Sequence, residues 1–157
     1  RVKWNALDRG NNAVHSTLTN QIALMIVLYS PLQMAADLVE NYAGHPAFDL
    51  VAQIPASWDE TRVLAASIGE YVVVARRSGS RWFVGGITNE QERIVEISLD
   101  FLSAGLDFAA QSCLDGETAH YELNPGSYQL NKQSVNASTV LRLQMKPGGG
   151  AVVIVTP

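Results

Sequence analysis

The sequence predicts an α+β chain, a short helical segment followed by a run of antiparallel β-strands, and three observations carry that prediction. Apolar residues recur at helical spacing only before about residue 60. Beyond that point, short β-rich runs alternate with Gly, Asn, Asp and Pro turn signals. The composition, 47% apolar and 17% charged, is too apolar for a disordered chain and suggests a surface partly meant to be covered. The length, 157 residues, fits one domain or a small domain with a piece of another attached. Folding at this size hides about 69% of the surface, enough for a core without metals or disulfides.

The first fifteen residues are polar. Arg1, Lys3 and Arg9 have no apolar stretch behind them, so a signal peptide is not expected. The chain begins in what reads as a loop, as a piece of a longer protein would. Ser16 is placed to cap a helix by accepting a hydrogen bond from a free backbone N–H. Leu18, Ile22, Met25, Ile26 and Tyr29 follow at helical spacing, and Ala23, Leu24, Val27 and Leu28 fill the other faces, which predicts a helix buried on most sides. Pro31 ends it. The run from Leu32 to Ala36, closed by Asp37, has the length of a strand buried on both faces. A second helix is predicted from Pro46, a favoured first position, to Ile54. One buried helix, one two-faced strand and one amphipathic helix are too little for a domain and read as the last units of an α/β barrel or sheet. In a barrel the C-terminal strand ends face the active site, which makes Asp37 and, more weakly, Gln33 candidates for contact with a substrate. Local capping at the strand's end is the simpler reading of Asp37.

Residues 61–157 read as all-β. Tyr71 to Arg77 and Trp82 to Thr88 are separated by Ser78-Gly79-Ser80, a hairpin signal. Arg93 to Leu99, Leu106 to Cys113, Tyr128 to Val135, Leu141 to Met145 and Ala151 to Val155 follow, with turns at Asp115-Gly116, Pro125-Gly126 and Gly148-Gly149-Gly150. About seven such strands predict an antiparallel sandwich. Its inward positions are expected to include Val72, Val74, Phe83, Ile94 or Val95, Leu141, Leu143 and Val153. Leu141 to Met145 alternates most clearly and should have one dry face and one wet face. If the barrel end is poorly covered here, residues 61–157 alone should be the more soluble piece.

Several function classes are disfavoured at once. The net charge of −4 offers no basic footprint for nucleic acid. The longest apolar run, Ile22 to Tyr29, is far short of the roughly 20 residues a membrane span needs. A single cysteine, Cys113, excludes an intrachain disulfide and reads as a small buried hydrophobe. His15, His45 and His120 lack the short spacing of a zinc site. The triple glycine has no Lys-Ser/Thr after it and is a turn, not a phosphate loop. Asp59 and Glu60 are adjacent, and adjacent side chains in a linker point different ways, so a place at the junction of the two parts, paired with Arg62, is the expected role rather than acid/base catalysis. Trp58, Trp82, Tyr71 and Phe83 suit a sandwich core, with stacking on sugar rings as the sharper alternative. Asn136-Ala137-Ser138 is a glycosylation sequon.

One series of blocks resembles a known family. Ser30-Pro31-Leu32-Gln33-Met34-Ala35-Ala36-Asp37, Glu40-Asn41-Tyr42, His45-Pro46-Ala47-Phe48, Trp58-Asp59-Glu60-Thr61, Gly69 to Arg77, Trp82-Phe83-Val84-Gly85-Gly86 and Pro147 to Gly150 resemble the C-terminal stretch of glycoside hydrolase family 97. The resemblance implies a parent with an N-terminal β-supersandwich, a central (β/α)8 catalytic barrel and a C-terminal β-sandwich. Residues 1–60 would then be the end of the barrel and residues 61–157 the C-terminal domain. It implies a parent that hydrolyses terminal α-glucosides or α-galactosides, on glutamates with a bound calcium ion in the inverting branch and on an aspartate nucleophile in the retaining branch. It implies export to the bacterial periplasm or medium. The family's catalytic and calcium-binding residues lie upstream of these blocks, so no catalytic residue, metal ligand or cofactor is expected in this segment. Its expected partners are the parent's other domains, the parent's oligosaccharide substrate and, as a homo-oligomer, further copies of itself. The competing reading is a non-catalytic β-sandwich module for carbohydrate binding or oligomerisation. A self-contained enzyme is disfavoured by the lack of a carboxylate constellation.

Overall fold

The computed structural model describes residues 14–30, 32–34 and 42–157. Among the described residues two helices, α1 (Leu18–Val27) and α2 (Phe48–Val51), precede eight strands: β1 (Glu60–Ser67), β2 (Tyr71–Ser78), β3 (Arg81–Thr88), β4 (Arg93–Ser98), β5 (Phe108–Asp115), β6 (Tyr128–Val135), β7 (Val140–Met145) and β8 (Gly150–Thr156). Six strands form one sheet in the order β1-β2-β3-β8-β5-β6, and β4 and β7 form a second sheet of two. Every pairing is antiparallel. This is the expected β-sandwich, with a narrow second sheet.

The large sheet is covered on both faces. On its inner face Val73, Ala75, Trp82, Val84, Ala151, Val153 and Val155 pack with Val95, Ile97, Leu141, Leu143 and Met145 of the small sheet. On its outer face Val74, Phe83, Cys113, Val152 and Ile154 pack with Ile22, Ala23 and Ile26 of α1 and Leu50 of α2. The molecule therefore has three layers. The expected inward positions hold at Val95, Leu141, Leu143 and Val153. Val72, Val74 and Phe83 instead face the helices. In β2 and β3 both faces are dry, so no polar alternation marks which side is which.

Helix α1 starts one residue later than expected. Thr17, not Ser16, is the cap, its hydroxyl accepting from Asn20 N at 3.2 Å; the Ser16 hydroxyl accepts from Gln21 Nε2 at 2.8 Å. One face of the helix is buried, and at its C-terminal end Leu28 and Tyr29 are 57% and 64% exposed. Helix α2 is shorter than the predicted span from Pro46 to Ile54. Residues 32–34 of the predicted strand from Leu32 to Ala36 are not strand, and Leu32 and Met34 stand exposed. A two-faced barrel strand needs sheet neighbours, and the described residues supply none there. The rest of that predicted strand and Asp37 lie outside the described residues. Strand β1 was not expected, because residues 60–67 mix charged and small residues without alternation.

Candidate functional site

The densest polar constellation lies where α1 meets the sandwich. Asp115, at the end of β5, is buried. Its Oδ1 accepts from the Thr17 hydroxyl at 2.7 Å, and its Oδ2 accepts from the backbone N–H groups of Lys146 and Gly150, each at 2.9 Å. The turn from β7 to β8 thus closes on the carboxylate. Asn20 Nδ2 donates to Gly149 O at 2.9 Å, and Thr17 N donates to Gly148 O at 2.9 Å. Glycines are required here by space as well as by conformation: Gly148 has a positive φ of 64°, and a Cβ at Gly149 would collide with Asp115 Oδ2. Burial pushes the Asp115 carboxyl above the usual range, opposed by the donors from Thr17, Lys146 and Gly150. With three donors engaged and little solvent access, this carboxylate is a pin between β5, the β7–β8 turn and α1. In the sequence it showed only as half of an Asp-Gly turn.

A second cluster lies at the other end of α1. Arg76 is 6% exposed; its Nη2 donates to Val27 O at 3.1 Å and its Nη1 to Thr61 Oγ1 at 3.2 Å. One free carbonyl at the helix C-terminus is thereby satisfied by a cation, the favourable sign for that end of the dipole. The guanidinium lies 5.4 Å from the Tyr29 ring centre and 5.8 Å from that of Trp58, and burial lowers its pKa. Gln33 belongs to the same end: its Nε2 donates to Met25 O at 3.3 Å and Ser30 O at 3.2 Å. Leu28, Tyr29, Leu32 and Met34 form the exposed apolar edge of this region.

The other candidates are dispersed. Glu60 pairs with Arg62 Nε at 2.7 Å and with Arg77 Nε at 3.2 Å, and those hydrogen bonds, Arg62 first, lower its pKa. Asp59 Oδ2 accepts from Gly79 N at 2.7 Å. This is the ion pair expected at Arg62, extended to β2. Trp82 and Phe83 are buried, Trp82 against Phe101 with ring centres 4.6 Å apart, so neither offers a face to a sugar. His45 Nδ1 accepts from Ala47 N at 3.3 Å, and His120 Nδ1 accepts from Glu122 N at 3.2 Å. Among the described residues no three His, Cys, Asp or Glu side chains converge to hold a metal ion. Cys113 is buried under α1, with its thiol pushed up to about 11 by burial. The Asn136 side chain is engaged in a local turn with Ser138.

The architecture defines a class first: a β-sandwich domain carrying an N-terminal helix on the outer face of its large sheet, its buried polar residues Asp115 and Arg76 spent on internal joints. The family model described as "Glycosyl-hydrolase 97 C-terminal, oligomerisation" matches residues 57–156. The chain belongs to glycoside hydrolase family 97, within its C-terminal region. It is 36% identical over 135 residues to a retaining alpha-galactosidase of Bacteroides thetaiotaomicron, covering 85% of this chain and 20% of that protein. It is 39% identical over 80 residues to a probable retaining alpha-galactosidase of Streptomyces bingchenggensis, covering 50% of this chain and 13% of that one. A glycoside hydrolase family 97 enzyme from Pseudoalteromonas sp. strain K8, solved in complex with acarbose, superposes with a TM-score of 0.86 at 39% identity, over 90% of this chain and 23% of that one. A beta-arabinopyranosidase superposes at 0.71 with 27% identity, over 88% of this chain and 21% of that one. The chain thus spans about a fifth of the length of such relatives.

Proposed function

We propose that this segment is the supporting and oligomerising end of an α-glycosidase whose chemistry resides in other parts of the parent chain. The observation that carries the reading is the match to a C-terminal oligomerisation domain over residues 57–156, on a fold whose buried Asp115 and Arg76 are committed to internal joints. In this reading the (β/α)8 barrel ends within residues 1–60. The exposed Leu28, Tyr29, Leu32 and Met34 support it, as an apolar edge that a preceding domain would cover. Gln33 has its amide nitrogen committed to the carbonyls of Met25 and Ser30, which leaves Asp37 the better candidate for contact with the sugar. The catalytic carboxylates and any calcium ion belong to upstream residues, and the parent is exported to the periplasm or medium.

The relatives named retaining alpha-galactosidases favour α-galactosides as substrate and retention as outcome. The acarbose complex of a structural relative keeps α-glucosides as the second reading. The test compares the parent with the isolated chain on p-nitrophenyl α-galactoside and α-glucoside. The parent is expected to turn over at least one, and the chain alone neither. Turnover by the chain alone, abolished by replacing one of its carboxylates, would overturn the assignment.

A further inference from the structure

We infer that the oligomer forms edge to edge through β6, two copies pairing antiparallel about a two-fold axis centred on Asn131. This rests on the oligomerisation reading above and names its surface. A six-stranded sheet has two free edges, here β1 and β6. A free edge presents unpaired backbone N–H and C=O groups that a second chain can complete, and proteins guard edges that are to stay single. β1 is guarded: its register shifts between Val63 and Ala65, and it opens with the Glu60–Arg62 pair. β6 is not. Its eight residues pair with β5 without a register shift, and they include neither proline nor glycine. From Gln129 to Ser134 every side chain is exposed, whichever face it lies on. Tyr128 packs toward the helices and Val135 is buried between the sheets, but among the described residues nothing covers Gln129 to Ser134, so both faces of that stretch are open to a second copy.

The residues also rule out one register and favour another. Antiparallel pairing of a strand with itself about a two-fold axis normal to the sheet keeps each residue on its own face. The axis therefore passes through a residue rather than between two. Centring it on Lys132 would set two ammonium groups directly opposite each other, which is destabilising. Centring it on Asn131 sets Asn131 opposite Asn131 and Gln129 opposite Gln133 on one face, a ladder of side chains that both donate and accept. On the other face the aliphatic stem of Lys132 lies beside Leu130 of the second copy, and Leu130 is 40% exposed in the single chain. A groove of about 640 Å³, lined by Gln111, Lys132, Ser134 and Ile154 among others, flanks that face and would run on across the axis. Pairing is isologous and closes at two copies. The result is a continuous twelve-stranded sheet, twice the six strands of one copy.

The register makes the test specific. In the full chain, Gln129→Lys/Gln133→Lys places like charges opposite each other on both sides of the axis. Gln129→Lys/Gln133→Glu places opposite charges there. By analytical ultracentrifugation the unmodified chain is expected to sediment as a dimer, the first variant as a monomer and the second as a dimer again. All three should keep the same circular dichroism, since both sites are exposed, while the monomeric variant loses only the stability that association adds. Val63→Lys on β1 and Ile94→Lys on β4 are expected to leave the dimer intact. A chain that stays monomeric at every concentration would remove the oligomerisation reading itself. An oligomer that survives Gln129→Lys/Gln133→Lys, or that Val63→Lys or Ile94→Lys dissolves instead, would leave that reading standing and overturn the β6 edge. Dissociation without recovery in the charge-complementary variant would overturn the register centred on Asn131.

Discussion

Asp115 shows how one side chain can tie sequence-distant parts together. Replacing it with alanine strands the Thr17 hydroxyl and two backbone N–H groups in a buried place. The expected loss is about 2–5 kcal/mol, read from chemical denaturation. Its titration has a definite sign. Because burial holds the carboxyl above its ordinary value, the folded chain binds that proton more tightly than the unfolded chain does. The contribution is therefore full below about pH 4, the unfolded value, and is lost as pH rises through the folded value. Asp115→Asn should abolish that fall in the stability-against-pH curve; an unchanged curve would contradict it. Cys113 makes a simpler case. Buried, with a pKa near 11, its thiol should resist a disulfide reagent at neutral pH until denaturant is added. Neither outcome depends on the parent enzyme.

At the scale of elements, β7 and β3 give contrasting lessons. The alternation of Leu141, Leu143 and Met145 with Arg142 and Gln144 was readable because one face of β7 meets the core and the other meets water. Leu143→Ala should cost about 2–5 kcal/mol and Gln144→Ala about 0.5 kcal/mol or less. Equal denaturation midpoints would place the strand one residue out of register. In β2, β3 and β8 the run of buried residues is continuous, so the existence of the strands was legible and their facing was not. The third layer was hidden for the same reason: nothing in Trp82-Phe83-Val84 says that Phe83 meets a helix while its neighbours meet a second sheet. Gly85 marks that contact only in retrospect. A Cβ there would come within 2.8 Å of Ile26 Cβ and 3.1 Å of Ala23 O, so α1 rests almost on the sheet backbone. Gly85→Ala is expected to push the helix away and cost about 1–3 kcal/mol, with the inner core unaffected. The joint at Asp115 was illegible in a different way, since its partners lie 98 residues before it and 31 and 35 after it.

For the whole molecule, the three layers reverse one expectation. Residues 61–157 alone would bare Phe83, Val152 and Ile154, which are at most 1% exposed under α1, so the shorter piece should be the one that aggregates. Light scattering of the two lengths at equal concentration tests this, and a clear solution of the shorter piece beside a turbid one of the full chain would refute it. The sandwich was visible in the sequence because turn signals and β-rich runs are local properties. The seat of α1 on it is a property of residues far apart and was not. The order of strands carries a consequence in time. β8, last of the eight along the chain, lies in the middle of the large sheet, between β3 and β5. A ribosome delivers α1 first, yet Asn20 finds its partner at Gly149, 129 residues later. Until that residue arrives, β3 and β5 have no neighbour between them and α1 has only the β2–β3 half of its floor. The nascent segment therefore has to stay unfolded, or be shielded, until nearly all of it has been made, and it then closes in one late step.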